Sequence, residues 1–195
     1  FNFSKREDLM NYFKLAQSHS ALFGYLSVII FRREKWNEIE LDDSYIGTLY
    51  SHMFMLYSFI ENGCYVRYVK DILVKWRSGN DSFGGPGKIV QRYKIDINGF
   101  LKVGEEFFGQ DIDLKNAFYG AFRRHHPFVN LAFLRMNTEN ISDWYELEKL
   151  LVKLKYNHYF LMILRPWIVK ICLYPLYKMN KHIKELRKIY LARNL

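Results

Sequence analysis

Residues 23–82 read FGYLSVIIFRREKW (23–36), NEIELDDS (37–44), YIGTLYSHMFMLYSFIENG (45–63) and CYVRYVKDILVKWRSGNDS (64–82), and the fold turns on how this stretch divides. Leu26–Phe31 is a short apolar run ending at Arg32-Arg33, the pattern of a buried strand that reaches the surface. A helix is predicted from about Ser44 to Asn62, because Ile46, Leu49, Tyr50, Met53, Tyr57 and Ile60 share one face of a 3.6-residue period and Gly63 supplies a C-terminal stop. At about 100° per residue, His52 lies on the margin of that stripe, where a side chain looks into a cleft while the helix stays anchored in the core. Cys64–Tyr68 and Ile72–Trp76 are β-branched and aromatic runs predicted as strands. The Gly-, Asn- and Ser-rich loop RSGNDSFGGPGK (77–88) follows, with no Walker spacing, and suits a mobile flap that approaches a ligand closely.

This order of strand, short helix, acidic loop, helix, Gly and two strands ending in Arg-x-Gly-Asn resembles the acceptor half of a family-2 glycosyltransferase of the GT-A fold. The similarity is to bacterial O-antigen and capsule sugar transferases of the abequosyltransferase kind, and FGYLSVIIFRREKW, the helix ending IENG, and VKWRSGNDS carry it. In many members the helix opens with Glu-Asp, the Asp being the presumed catalytic base. Counting back from Gly63, that place is held here by Ser51 and His52. The carboxylate is absent, so its role passes to His52 or lies elsewhere, with Ser51 beside it on the acceptor side; the other reading of His52 is a structural histidine hydrogen-bonded to strand backbone beside the helix. The resemblance implies an α/β fold, this part of it mostly α-helical with about three short strands. It further implies a divalent metal, Mg or Mn, held by an Asp-x-Asp motif expected upstream of Phe1, so that no metal ligand is expected in these residues.

The loop before the helix clusters Glu38, Glu40, Asp42 and Asp43. Two readings stand: a solvated loop with an N-cap, or a cleft mouth where Asp42 and Asp43 bind acceptor hydroxyls. Arg77 offers a planar fork of donors to a donor diphosphate, with Asn80 in the same loop, or else forms a salt bridge at a strand end.

The chain has 195 residues and a net charge of +9, and its length suits one domain or one domain with a helical appendage. It opens on Phe with no secretory or lipidation motif after it, which suggests a piece of a longer polypeptide. From Lys153 to Leu195 there are 10 Lys and Arg against the single acid Glu185, so the whole excess of positive charge belongs to that segment. Cys64 and Cys172 are far apart without metal-like spacing and read as reduced cytosolic thiols.

Lys5–Ser18 reads as a helix with Ser4 before Glu7 as a capping box. After Lys88 the pattern is helical: 89–109 with a break possible at Asn98-Gly99, 112–135 interrupted near Pro127, and 142–155 opened by Ser142. Asp111-Ile112-Asp113 has the letters of Asp-x-Asp but sits between helices, where capping is the expected role. His125-His126, as neighbours on a helix, point about 100° apart and are expected to serve a surface or helix end rather than chelate one ion.

Residues 156–178, YNHYFLMILRPWIVKICLYPLYK, are broken by Arg165-Pro166, Lys170 and Pro175, and no run reaches the roughly 20 apolar residues that cross a bilayer. Trp167, Tyr174 and Tyr177 interleave with Lys170, Lys178 and Lys181, the composition of an interfacial helix on an anionic membrane. An ordinary helical core with a basic surface is the alternative, and nucleic acid is not expected, because no recognition module accompanies the charge.

The organisation that follows is an acceptor-side half at 1–109 and a helical region at 110–195, membrane-associating from about 156. The expected activity is transfer of a sugar from a nucleotide-sugar donor to a lipid-linked glycan, with inversion, at the cytoplasmic face of a bacterial inner membrane, and residues 1–195 alone are expected to be inactive. The competing class is a membrane-associated helical interaction protein without catalysis.

Overall fold

The computed structural model describes residues 1–71, 73–75, 89–136, 138, 140–157, 159, 161, 171 and 175. Among them are seven α-helices: α1 (Arg6–Leu15), α2 (Arg33–Asn37), α3 (Ser51–Glu61), α4 (Ile89–Phe108), α5 (Ile112–His125), α6 (Phe128–Met136) and α7 (Ile141–Lys153). Three single 3-10 turns, His19–Ala21, Leu26–Val28 and Asp43–Tyr45, lie between the first of these.

The long α4 is the axis. Its 20 residues span about 30 Å, and it packs on α3, α5 and α7. Phe100 of α4 stacks on Phe118 of α5 with centroids 4.1 Å apart and planes 7° from parallel. Phe13, Tyr57, Phe108 and Phe122 close around that pair, so the core is built mainly from rings, each burying a large apolar area. The break expected at Asn98-Gly99 is absent. Gly99 is buried inside the helix because Tyr50 lies flat against it, and a Cβ there would meet the Tyr50 ring at 2.3 Å.

Helices α1 and α5 run side by side in the same direction and are tied at both ends. At the start, Arg6 donates Nη2–H to Asp111 Oδ1 at 2.9 Å, and Asp111 also caps α5 by accepting from the Leu114 amide at 3.0 Å. At the finish, Arg124 donates Nε–H to the Ala16 carbonyl at 2.8 Å and a second N–H to Phe13, satisfying carbonyls that a helix end leaves open. Asp111 therefore caps, as expected. The Ser4 box does not form: Lys5 is the N-cap without a side-chain bond, and Asn2 and Asp8 organise the turn instead. α7 starts one residue earlier than predicted, with Asn140 rather than Ser142 as its cap.

The helix predicted over 44–62 is shorter. Gly47 adopts φ 81, a left-handed conformation that breaks the helix, so a 3-10 turn at Asp43–Tyr45 precedes α3, which begins at Ser51. The stop at Gly63 is present, with φ 69 and its N–H on the Ile60 carbonyl at 2.9 Å.

The three predicted strands do not form among the described residues. Leu26–Val28 makes a 3-10 turn, and the chain beyond it is extended and exposed, Ile30 at 81 %. Cys64–Tyr68 meets only the chain start: Phe3 N–H reaches the Cys64 carbonyl at 2.8 Å and Val66 N–H the Phe1 carbonyl at 2.9 Å, around a single antiparallel bridge between Asn2 and Tyr65. Leu73–Lys75 has no regular structure, and Ile72 and Trp76 lie outside the described residues. β-rich sequence without a paired neighbour leaves its backbone groups to water, and no strand is defined.

Candidate functional site

His52 stands in the first turn of α3, half-buried. Its Nε2 lies 2.9 Å from the carbonyl oxygen of Phe23. With Nε2–H donating to that carbonyl, Nδ1 carries the lone pair. Burial lowers the pKa of His52 below the ordinary imidazole value, opposed by the carbonyls of Phe23 and Gly24. The ring is therefore neutral near pH 7 and oriented by backbone, which is what a proton acceptor needs.

The carbonyl is presented by a tightly wound turn. Ser18 Oγ accepts from the Ser20 amide at 2.9 Å, Leu22 N–H returns to the His19 carbonyl at 3.0 Å, and Gly24 N–H to Ser20 at 3.2 Å. Phe23 has φ 65, a left-handed conformation that a bulky residue rarely takes. Its ring is held by Phe3, Tyr12 and Tyr57, whose packing offsets the backbone strain.

Beside His52, the Tyr50 ring lies nearly parallel at 6.5 Å. Tyr50 is buried and hydrogen-bonds the Asp96 carboxylate, and burial followed by that carboxylate raises its pKa. Arg92 holds both Asp96 oxygens through Nε, at 3.1 and 3.2 Å. A polar line thus runs from α3 into α4. The sequence reading passed over Tyr50 and Asp96; the usable signal was the Arg92 and Asp96 spacing of four on one helix face.

Asp42 lies at the start of the 3-10 turn before α3. It caps the 3-10 turn by accepting from the Ser44 amide at 2.8 Å, and these Ser44 contacts lower its pKa. Lys102 Nζ binds the Ser44 carbonyl at 2.7 Å and its hydroxyl at 2.6 Å, lying 3.7 Å from the Tyr45 ring centroid. Asp43 is exposed on the turn and Ser51 half-buried at the head of α3. Arg77, Asn80, Trp167, Lys170, Tyr174, Tyr177, Lys178 and Lys181 lie outside the described residues.

The expectation for His125-His126 changes in one respect. Both sit at the end of α5, but Pro127 pushes His126 out of the helical region, to φ −118 and ψ 69, so the rings are not fanned apart. Their centroids are 4.4 Å apart, and both approach His19, whose centroid lies 4.8 Å from that of His125 and 5.3 Å from that of His126. In Asp111-Ile112-Asp113, Asp111 is engaged by Arg6 and caps its own helix.

By sequence comparison the chain is similar to a glycosyltransferase. The chain is 33 % identical over 156 residues to abequosyltransferase RfbV of Salmonella typhimurium, an alignment covering 80 % of this chain and 46 % of the relative. The resemblance read from residues 23–82 thus extends over most of the chain, which spans about half the length of the curated relative it matches. No protein-family profile matches the chain, and no solved structure matches it. No described helix is long and apolar enough to cross a membrane.

Proposed function

We propose that this chain is the acceptor-side part of an inverting glycosyltransferase with the GT-A fold, acting in bacterial surface polysaccharide synthesis. The observation that carries the reading is the 33 % identity to an abequosyltransferase. His52 is the base. Nδ1 takes the proton of an acceptor hydroxyl, the oxygen attacks the anomeric carbon of the nucleotide sugar in line, and the nucleoside diphosphate leaves from the opposite face. Phe23 holds Nε2–H and so fixes the tautomer, and Tyr50 packs beneath the ring. A divalent Mg or Mn, bound by residues outside this chain, supplies charge neutralisation for the leaving diphosphate.

In the same reading Asp42, Asp43 and Ser51 meet the acceptor, and Arg77 and Asn80 serve the donor diphosphate. The acceptor is a lipid-linked glycan, and the basic aromatic segment from about residue 156 binds the anionic inner face of the membrane. The test is sugar transfer from radiolabelled nucleotide sugars to a lipid-linked glycan extract, with the complete reading frame and with residues 1–195 alone. Transfer by the complete protein and none by the shorter chain is expected. No transfer by the complete protein with any donor overturns the reading.

A further inference from the structure

His19 is brought to His125 and His126 by the docking of the 18–24 turn on α5. One ring nitrogen from each of the three residues lies within 4.8 Å of the others. Nδ1 of His19 is 2.9 Å from Nδ1 of His125. Two imidazole nitrogens that close share a proton or share an ion. A tetrahedral zinc with bonds of about 2.0–2.1 Å sets its ligand nitrogens roughly 3.3 Å apart. The His19 and His125 pair is already near that separation, and a nitrogen of His126 lies within 4.8 Å of both.

The surroundings are those of ligating histidines. Tyr93 Oη is 3.0 Å from Nδ1 of His126, so when Nδ1–H donates to that hydroxyl, Nε2 is the atom left for an ion, and the outer partner fixes ring and tautomer. Tyr156 donates to the His126 carbonyl at 2.7 Å and holds its backbone. His19 is buried against Phe100 and Phe122, while His125 is exposed, which leaves a fourth position open to water. Arg92 is the cation that bears on His19, and Asp96 neutralises it within the same helix.

From this geometry we infer that His19, His125 and His126 form a site for one transition-metal dication of the zinc type, with water as fourth ligand. Three neutral imidazoles favour zinc or cobalt over the oxygen-seeking magnesium. The inference is independent of the proposed glycosyl transfer and concerns a different set of residues.

The experiment is titration of the untagged 195-residue chain with Zn²⁺ by calorimetry, and with Co²⁺ followed by visible absorption. One equivalent of Zn²⁺, a tetrahedral Co²⁺ spectrum and no uptake of Mg²⁺ are expected. His125→Ala, at an exposed position that does not threaten folding, weakens Zn²⁺ at least tenfold, and Tyr93→Phe weakens it about tenfold through the outer contact. Absence of uptake, an octahedral Co²⁺ spectrum, or wild-type affinity in both His125→Ala and His126→Gln overturns the inference and leaves a hydrogen-bonded histidine cluster.

Discussion

Gly99 of α4 lies against the ring of Tyr50, so close that a Cβ at residue 99 would stand 2.3 Å from Cδ2 of the ring. Tyr50 in turn underlies His52. The absence of one methyl group on α4 therefore makes room for the ring next to the candidate base.

Gly99→Ala separates two effects of opposite sign. In a helix interior, Gly to Ala stabilises by roughly 0.5–1 kcal/mol. Overpacking against a buried ring costs about 1–3 kcal/mol. The clash is the larger, so the variant should lose about 1–2 kcal/mol in urea unfolding. A gain in stability would mean that Tyr50 moves freely aside.

In the complete enzyme, His52→Ala should lower kcat by about 10²–10⁴ with donor binding nearly intact, the range for losing general-base catalysis. Because burial lowers the His52 pKa, the acid limb of kcat/KM should fall below the usual imidazole value near 6.5. Near-normal turnover in the folded variant would move the base to Asp42, Asp43 or a carboxylate outside the chain.

Asp111 gives a pH-dependent contribution whose sign is fixed. Arg6, then the Leu114 amide, lower its folded pKa to about 2 from an ordinary value near 3.9. The stabilisation is present above the unfolded pKa and is lost as pH falls through the folded value, between about pH 4 and pH 2. Arg6 is more than half exposed, so solvent screening keeps the contribution of the ion pair small. Asp111→Asn keeps a capping oxygen and should remove only that part, whereas Asp111→Ala loses the cap as well, roughly another 1 kcal/mol. Equal unfolding curves for wild type and Asp111→Asn from pH 7 to pH 2 would exclude the pair.

For the basic segment, liposome flotation of residues 1–195 should need anionic lipid and weaken with salt. Replacing Lys178, Lys181, Lys184 and Lys188 by Gln should remove the dependence on anionic lipid and leave some apolar association through Trp167, Tyr174 and Tyr177. Binding unaffected by lipid charge would sink the electrostatic part of the proposal.

What the sequence disclosed follows from the range of the interactions involved. Helices α1, α4, α5, α6 and α7 and the stop at Gly63 were legible within a residue or a few, because period, proline and glycine act locally. The start of α3 was not, since the apolar period continues through Gly47 and only the backbone reveals its φ of 81. The predicted strands failed because strand formation needs a partner, and the apolar runs at 26–31 and 73–75 have none among the described residues. His52 was visible from its helix register, but its Phe23 carbonyl was not, and neither was the meeting of His19 with His125 across 106 positions.

The parallel docking of α1 on α5 has a consequence for how the chain is made. Arg6 meets Asp111 and Ala16 meets Arg124, contacts 105 and 108 residues apart. On a ribosome adding about 5–20 residues per second, α1 has no α5 to pack on for roughly 5–20 s after it emerges. During that time its Leu9 and Phe13, which α5 and α3 later cover, face solvent or a chaperone. Within these residues α1 is thus made well before the helix it packs on, and closing that long loop, rather than forming any single helix, is the step that should set the pace of folding.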